Sequence, residues 1–413
     1  MNSCSSHSQS NKGNILVKFM DYKNSTGIKE HFKEKLSLKH LNTKKILKYS
    51  KTELLQLHED DDFDEVVSHL HNHPEIYYAQ PDYLLHACSS TDNQTFRFQW
   101  GLENTGQTNK LDIAGCCGID IDVLDAWSIT QGSESVVVAV LDTGIDINHI
   151  ALKNSIYHNP YETGIDGKDN DGNNYCDDFS GWDFVNKDNT VYDSIRDAKH
   201  GTEVAGVIAA RGVDAGTVGV APGVIILPLK IMDIDKSCTS AAVEAIEYAK
   251  AKGIRLANCS WGDTNQNPAL RFHMQNSDIL FVCAAGNNGD DVSVAPFYPA
   301  CFDLPNIISV AAVNNKGCLW PGSNYGNRIH VAAPGACILS TIPSEDECSY
   351  GIDTGTSLAA PHVTGIAALI LSKYPDLDAP GIKQRIIQSV KPLSTLQDKV
   401  TSGGLVNAYK ALV

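Results

Sequence analysis

Residues 136–141 read Val-Val-Val-Ala-Val-Leu, an apolar run without a break, and Asp142-Thr143-Gly144 closes it. A strand with one wet face alternates polar and apolar side chains, so a run without alternation is buried on both faces. Such a strand belongs to a parallel sheet covered by helices, and open α/β sheets place their sites at the carboxyl ends of their strands. Further apolar runs at 225–230 and 281–285, with a helical stretch at 241–251 between them, continue the alternation from 136 to 371. The pattern predicts a doubly wound, mostly parallel α/β sheet. Residues 378–412 predict short covering helices. Asp142 at a strand end either caps a turn or carries charge into a site, and the residue alone does not decide between them.

The stretch Gly355-Thr356-Ser357-Leu358-Ala359-Ala360-Pro361-His362 sets one hydroxyl among small residues and leads into the apolar run 366–371. It predicts a buried helix that begins near Ser357, with Pro361 in its first turn, where the missing N–H is tolerated. Small neighbours admit a substrate backbone, and a helix N-terminus favours negative charge. A capping serine on a core helix fits this stretch equally well. Lys199-His200-Gly201-Thr202 places His200 at the head of a second helix of small residues. The strand through Phe281 ends in a side-chain amide at Asn287, and Ser260-Trp261-Gly262 follows the strand edge at 257–259.

Residues 166–178 are densely acidic. Counting from Asp169 gives oxygen side chains at positions 1, 3 and 5 (Asp169, Asp171, Asn173), a carbonyl at 7 (Tyr175) and Asp177 at 9, the alternation a hard calcium ion takes. Asn174 stands where an EF-hand has glycine, and Ser180 where it has a bidentate glutamate. Asn tolerates a left-handed turn, and Asp166 or Asp178 would supply the missing oxygens. A solvated acidic loop is the alternative.

The N-terminal part is a separate unit. Residues 1–12 are polar and predict disorder, and 13–88 predict a small α+β domain. Its expected elements are strands at 15–20, 45–49 and 76–85, and helices at 28–36 and after Asp62. The second helix carries Phe63, Val66, Val67 and Leu70 on one face and stops before Pro74. That order suggests a ferredoxin-like sandwich. A polar linker then opens the larger domain, 89–413. The formal net charge of -16 argues against nucleic acid or an anionic membrane as partner, and no apolar run approaches the roughly 20 residues of a membrane span. Twelve cysteines without a Cys-x-x-Cys pair suit buried or free thiols better than zinc.

Together these stretches resemble the subtilisin-like serine proteases, the subtilases. Asp-Thr-Gly at Asp142, His-Gly-Thr at His200 and Gly-Thr-Ser-x-Ala-Ala-Pro-His at Ser357 match the three signatures of that family in its Asp, His, Ser order. The resemblance implies Ser357 as nucleophile, His200 as its base, Asp142 as the acid orienting the imidazole, and Asn287 as oxyanion donor. It makes Ser260, Trp261 and Gly262 a wall of the pocket for the residue before the cut, and sets Phe297 at its floor, where relatives often have glycine. A ring there would exclude large side chains.

By the same resemblance the acidic loop is a calcium-binding insertion, and 13–88 is an inhibitory propeptide of a self-processing zymogen. The cut would fall between Cys88 and Ser89, with Leu85 in an apolar pocket upstream. Glu203 stands where many members have histidine, and Leu358 where many have methionine. Protein or peptide substrates and the chain's own propeptide are the implied partners, and a monomer is the expected state. The long prosegment points to secretion. The absence of an apolar leader in residues 1–12 points to the cytoplasm as the alternative. A catalytically silent binding protein on this fold is the competing function class, and the four intact catalytic positions weigh against it.

Overall fold

The computed structural model describes residues 10–47, 49–58, 60–83, 95–162, 164–212, 216–233 and 238–413. The chain forms two compact units, Met1–Ser89 and Ser90–Val413.

In the smaller unit, β1 (Ser10–Phe19), α1 (Ser25–Lys35), β2 (Leu41–Ile46), β3 (Glu53–Leu57), α2 (Phe63–His71) and β4 (Ile76–Tyr83) follow in order. The strands pair antiparallel in the order β2-β3-β1-β4. Ile15, Val17, Leu55, Phe32, Val66 and Leu70 fill the space between sheet and helices. Asp62 caps α2 by accepting from the N–H of Glu65 at 3.1 Å.

Two expectations need correction here. Residues 10–12 belong to β1 and are not a disordered tail; residues 1–9 lie outside the described residues. In place of the single strand expected at 45–49 there is a hairpin, β2 and β3. Only Leu41 of edge strand β2 is buried, so its apolar signal is faint.

The larger unit begins with α3 (Val123–Trp127), β5 (Val137–Asp142) and β6 (Trp182–Asp183). Then come α4 (Lys199–Ala209), β7 (Ile225–Lys230), α5 (Thr239–Ala251), β8 (Leu256–Cys259), α6 (Pro268–Gln275), β9 (Leu280–Ala284), β10 (Ile307–Val313) and β11 (Val331–Pro334). A hairpin of β12 (Ile338–Ile342) and β13 (Ser349–Asp353) precedes α7 (Thr356–Lys373) and α8 (Ala379–Gln388). The chain closes with β14 (Lys391–Pro392), β15 (Gly404–Leu405) and α9 (Ala408–Leu412).

Among the described residues, nine strands form one mostly parallel sheet in the order β14-β15-β11-β10-β9-β8-β5-β7-β6. The unbroken run in β5 is divided between two cores. Val138 and Val140 pack with Ala205 and Ile208 of α4 and Val363 and Ile366 of α7. Ala139 and Leu141 face the other side, with Ala245 and Ile246 of α5 and Leu270 and Met274 of α6. The C-terminal segment holds more than the covering helices expected of it, because β14 and β15 extend the sheet edge. No described helix is long and apolar enough to cross a membrane. Cys259 and Cys283 are free thiols that pack as small buried residues on neighbouring strands.

Candidate active site

Asp142 closes β5 almost fully buried, and Asn287 follows the parallel strand β9 at the same sheet edge. His200 stands in the first turn of α4. Its Nδ1 donates to Asp142 Oδ1 at 2.7 Å, and the same oxygen accepts from the N–H of Thr143 at 2.8 Å. The glycines of both motifs make this approach possible. A β-carbon on Gly201 would lie 2.1 Å from the Gly144 carbonyl oxygen and 3.2 Å from the Asp142 β-carbon. Gly144 itself has φ +106°, in the range that favours glycine. Helix α4 can therefore abut the strand end only with no side chain at 201.

Burial acts to lower the pKa of His200, but the Asp142 carboxylate together with Glu203 and Asp353 shifts it upward on balance. Burial pushes the Glu203 carboxyl up, against the pull of Lys199 at 3.0 Å. Lys199 also reaches Asp353 at 2.8 Å, so one ammonium joins the segment before His200 to the segment before Ser357.

Ser357 lies in the first turn of α7, which packs against α4. Pro361 is further into α7 than its first turn, contrary to expectation. The penalty is offset locally. Without an N–H, Pro361 leaves the carbonyl of Ser357 unbonded by the helix, and Ser260 Oγ donates to that oxygen at 2.8 Å. The segment at 260–262 and the first turn of α7 are thereby joined.

The Asn287 amide is oriented by its own partners. Gly286 N–H donates to Thr356 Oγ1 at 3.1 Å, and Thr356 donates twice to Asn287 Oδ1, from N at 2.9 Å and from Oγ1 at 2.8 Å. The oxygen is occupied, which leaves the NH₂ group to donate elsewhere. A β-carbon on Gly355 would lie 3.0 Å from Ser357 Oγ and 3.3 Å from Asn287 Nδ2, so the hydroxyl and the amide border the same position. Among the described hydrogen bonds, none links Ser357 Oγ to His200.

The acidic loop is organised differently from its count. Asp177 accepts from the N–H groups of Asp166 (2.8 Å) and Gly167 (2.9 Å), and Asp169 from those of Gly172 and Asn174, both at 2.7 Å. Asp166 accepts from Lys168 N at 3.0 Å. Asn174 takes φ +70°. The carboxylates that converge are Glu162, Asp171 and Asp178, within 4.8 Å of one another. Asn159 and Asn173 bond to them, Tyr248 donates to Asp178 at 2.5 Å, and Tyr175 packs edge-on against Tyr248.

Lys252 Nζ is 2.9 Å from Asp178 and 3.4 Å from Asp171. Three hard-oxygen carboxylates against one ammonium fit a divalent cation such as calcium in charge and donor type. Glu162 lies outside the acidic run, and nothing local in sequence ties Lys252 to the loop, so a linear count of the run finds neither. Leu85 and the expected cut between Cys88 and Ser89 lie outside the described residues.

An Asp–His pair at a strand end and a serine in the first turn of a helix packed against the histidine's own helix stand on a doubly wound α/β sheet. Residues 133–409 match the Subtilase family, and residues 6–82 match the Fervidolysin N-terminal prodomain. The chain belongs to the subtilase family. It is 36% identical over 309 residues to Subtilisin-like protease 2 of Plasmodium falciparum (isolate 3D7), covering 71% of this chain but 22% of that protein. It is 34% identical over 355 residues to Thermophilic serine proteinase of Bacillus sp. (strain AK1), covering 84% of this chain and 75% of the relative. With Thermitase of Thermoactinomyces vulgaris it shares 33% identity over 297 residues, 71% of this chain and 93% of the relative.

Proposed function

We propose that this chain is a serine endopeptidase made as a self-processing zymogen. The observation that carries this is the 2.7 Å bond from His200 to Asp142, beside an Asn287 amide whose oxygen is already engaged by Thr356. In this reading Ser357 Oγ attacks the scissile carbonyl as His200 Nε2 takes its proton. Asp142 holds the Nδ1 tautomer and stabilises the imidazolium, and Asn287 Nδ2 donates to the oxyanion. His200 then protonates the leaving amine, and water resolves the acyl-enzyme by the same route. Ser260, Trp261 and Gly262 line the bound peptide.

Calcium held by Glu162, Asp171 and Asp178 would add structural stability alone. The matched prodomain supports the N-terminal unit as the chain's own inhibitor, removed by a cut between Cys88 and Ser89. A secreted monomer acting on protein substrates is the proposed setting, with the cytoplasm as the alternative. A fluorophosphonate probe tests the core of the proposal: it should label the active protein and fail to label Ser357→Ala. Equal labelling of both would refute it.

A further inference from the structure

Every residue of α4 from Gly201 to Ala209 is buried, and all but Thr202 and Glu203 are apolar or glycine. Thr202 is satisfied, donating to the Ala198 carbonyl at 2.6 Å and accepting from Asp146 N–H at 2.9 Å. Glu203 is not. Its Oε1 has no hydrogen-bond partner among the described residues, and its charge is met by Lys199 Nζ at 3.0 Å. A buried carboxylate oxygen without a hydrogen bond costs stability that an apolar side chain would not. It stands three residues after His200, a spacing that puts both on one face of the helix.

Lys199 also reaches Asp353 at 2.8 Å, at the end of β13, so Glu203, Lys199 and Asp353 form a chain of alternating charge. Both ends of that chain are fixed. Ser340 Oγ donates to the Glu203 carbonyl at 2.6 Å, and Thr341 Oγ1 to the Thr202 carbonyl at 2.7 Å, which seats α4 on β12. Strand β12 in turn pairs with β13, with Ile338 opposite Asp353. The charges around the imidazole are Asp142 from β5, Lys199 and Glu203 from α4, and Asp353 from β13. Among the other elements packed on α4, β12 offers hydroxyls. His362 of α7 bonds the Leu358 carbonyl in its own helix at 2.8 Å, and Lys230 of β7 pairs with Asp183 and Asp193. Beyond Asp142, two carboxylates and one ammonium leave an excess of negative charge at the ring.

We propose that Glu203 is a positioning residue for His200, a second, buried carboxylate held by Lys199 and Asp353 that favours the imidazolium formed as His200 takes the proton of Ser357. The proposal rests on the protease reading above and adds a residue to its machinery. Glu203 touches neither substrate nor the reacting atoms in this role. It acts through the charge of the ring, and the Lys199 bridge keeps that charge in register with the segment that carries Ser357.

The test follows kcat/KM on one neutral peptide amide from about pH 5 to 9, using active protein from the full chain. Rates are scaled to the fraction labelled by fluorophosphonate. Glu203→Gln keeps the shape and removes the charge. With less negative charge beside it the imidazole stays neutral to lower pH, so the acid limb should move down by about half a unit or more. The kcat on the alkaline plateau should fall by about threefold or more with KM unchanged, since half a unit is about threefold in an equilibrium constant. Asp353→Asn, at a half-exposed position, should move the limb the same way by less, and it carries the test if Glu203→Gln does not fold. An acid limb that stays in place in the folded variants overturns the assignment, as does a loss carried by KM or by melting temperature alone. Labelled protein with an unmoved limb removes only the role of Glu203. Wild type that does not label removes the protease reading with it.

Discussion

The cleft and the acidic loop are both polar clusters of the larger unit, yet they are held in different ways. In the cleft one carboxylate faces one imidazole, and the groups sit on strand ends and helix first turns that the buried sheet fixes. In the loop three carboxylates face one ammonium, and the chain is folded on its own N–H groups. A charge-balanced site on rigid elements is preorganised for chemistry without a ligand. An excess of carboxylate is a store of repulsion that a bound cation would relieve, and a metal there would couple the loop to stability.

The largest effect should come from the cleft alone. Ser357→Ala should lower peptidase activity by about 10⁴-fold or more, while chelator should still lower its melting temperature. The precursor should also remain uncut. A variant that still digests casein and processes itself would show that the comparison starts from the wrong nucleophile.

Asn287→Ala tests the fixed amide. Loss of one oxyanion donor should cost about 10²–10³-fold in kcat with little change in KM, a magnitude taken over from the same loss in subtilisin, a member of this family. An equal fall through KM instead would make Asn287 a substrate contact.

Chelation should strike the other cluster. A metal that binds only the folded state stabilises by about 2.7 kcal/mol at a hundredfold excess over Kd. EDTA should therefore lower the melting temperature, and Asp171→Ala should lower it similarly while making it insensitive to EDTA. Activity per folded molecule should hold in both cases. Melting curves unchanged by chelator and by Asp171→Ala would leave the loop a hydrogen-bonded turn with no metal dependence.

The same difference explains what could be read from the residues. The β5 run and the motif glycines record close packing in a local pattern, so the sheet and both helix starts are legible in the sequence, whereas the Asp142–His200 meeting follows from the resemblance to the subtilases and not from the local pattern. Pro361 was misplaced because its compensation, Ser260 Oγ, lies about a hundred residues away in sequence. A linear count of the loop does not find its convergence, which is set by turns and by Glu162 and Lys252, both outside the run. Edge strands β2 and β14 and the two-residue β15 are too short or too exposed to leave an alternating signature.

The smallest predicted effect sharpens what preorganisation means at the nucleophile itself. Leu358 follows Ser357 in α7, is 2% exposed, and packs with Trp100, Val207 and Ile338. A thioether at this position can be oxidised to a polar sulfoxide, and its added oxygen would press on the turn that carries the hydroxyl. Leucine gives peroxide no target there. Because Leu→Met keeps volume, Leu358→Met should fold with a loss under about 1.5 kcal/mol, so the two proteins can be compared directly. Six described cysteines are exposed and will oxidise in both, which makes the paired comparison necessary. At equal peroxide dose the wild type should keep several-fold more activity than Leu358→Met, as read by peptide hydrolysis and fluorophosphonate labelling. Equal loss in both would mean that the thiols, and not the residue beside Ser357, set the sensitivity of the cleft.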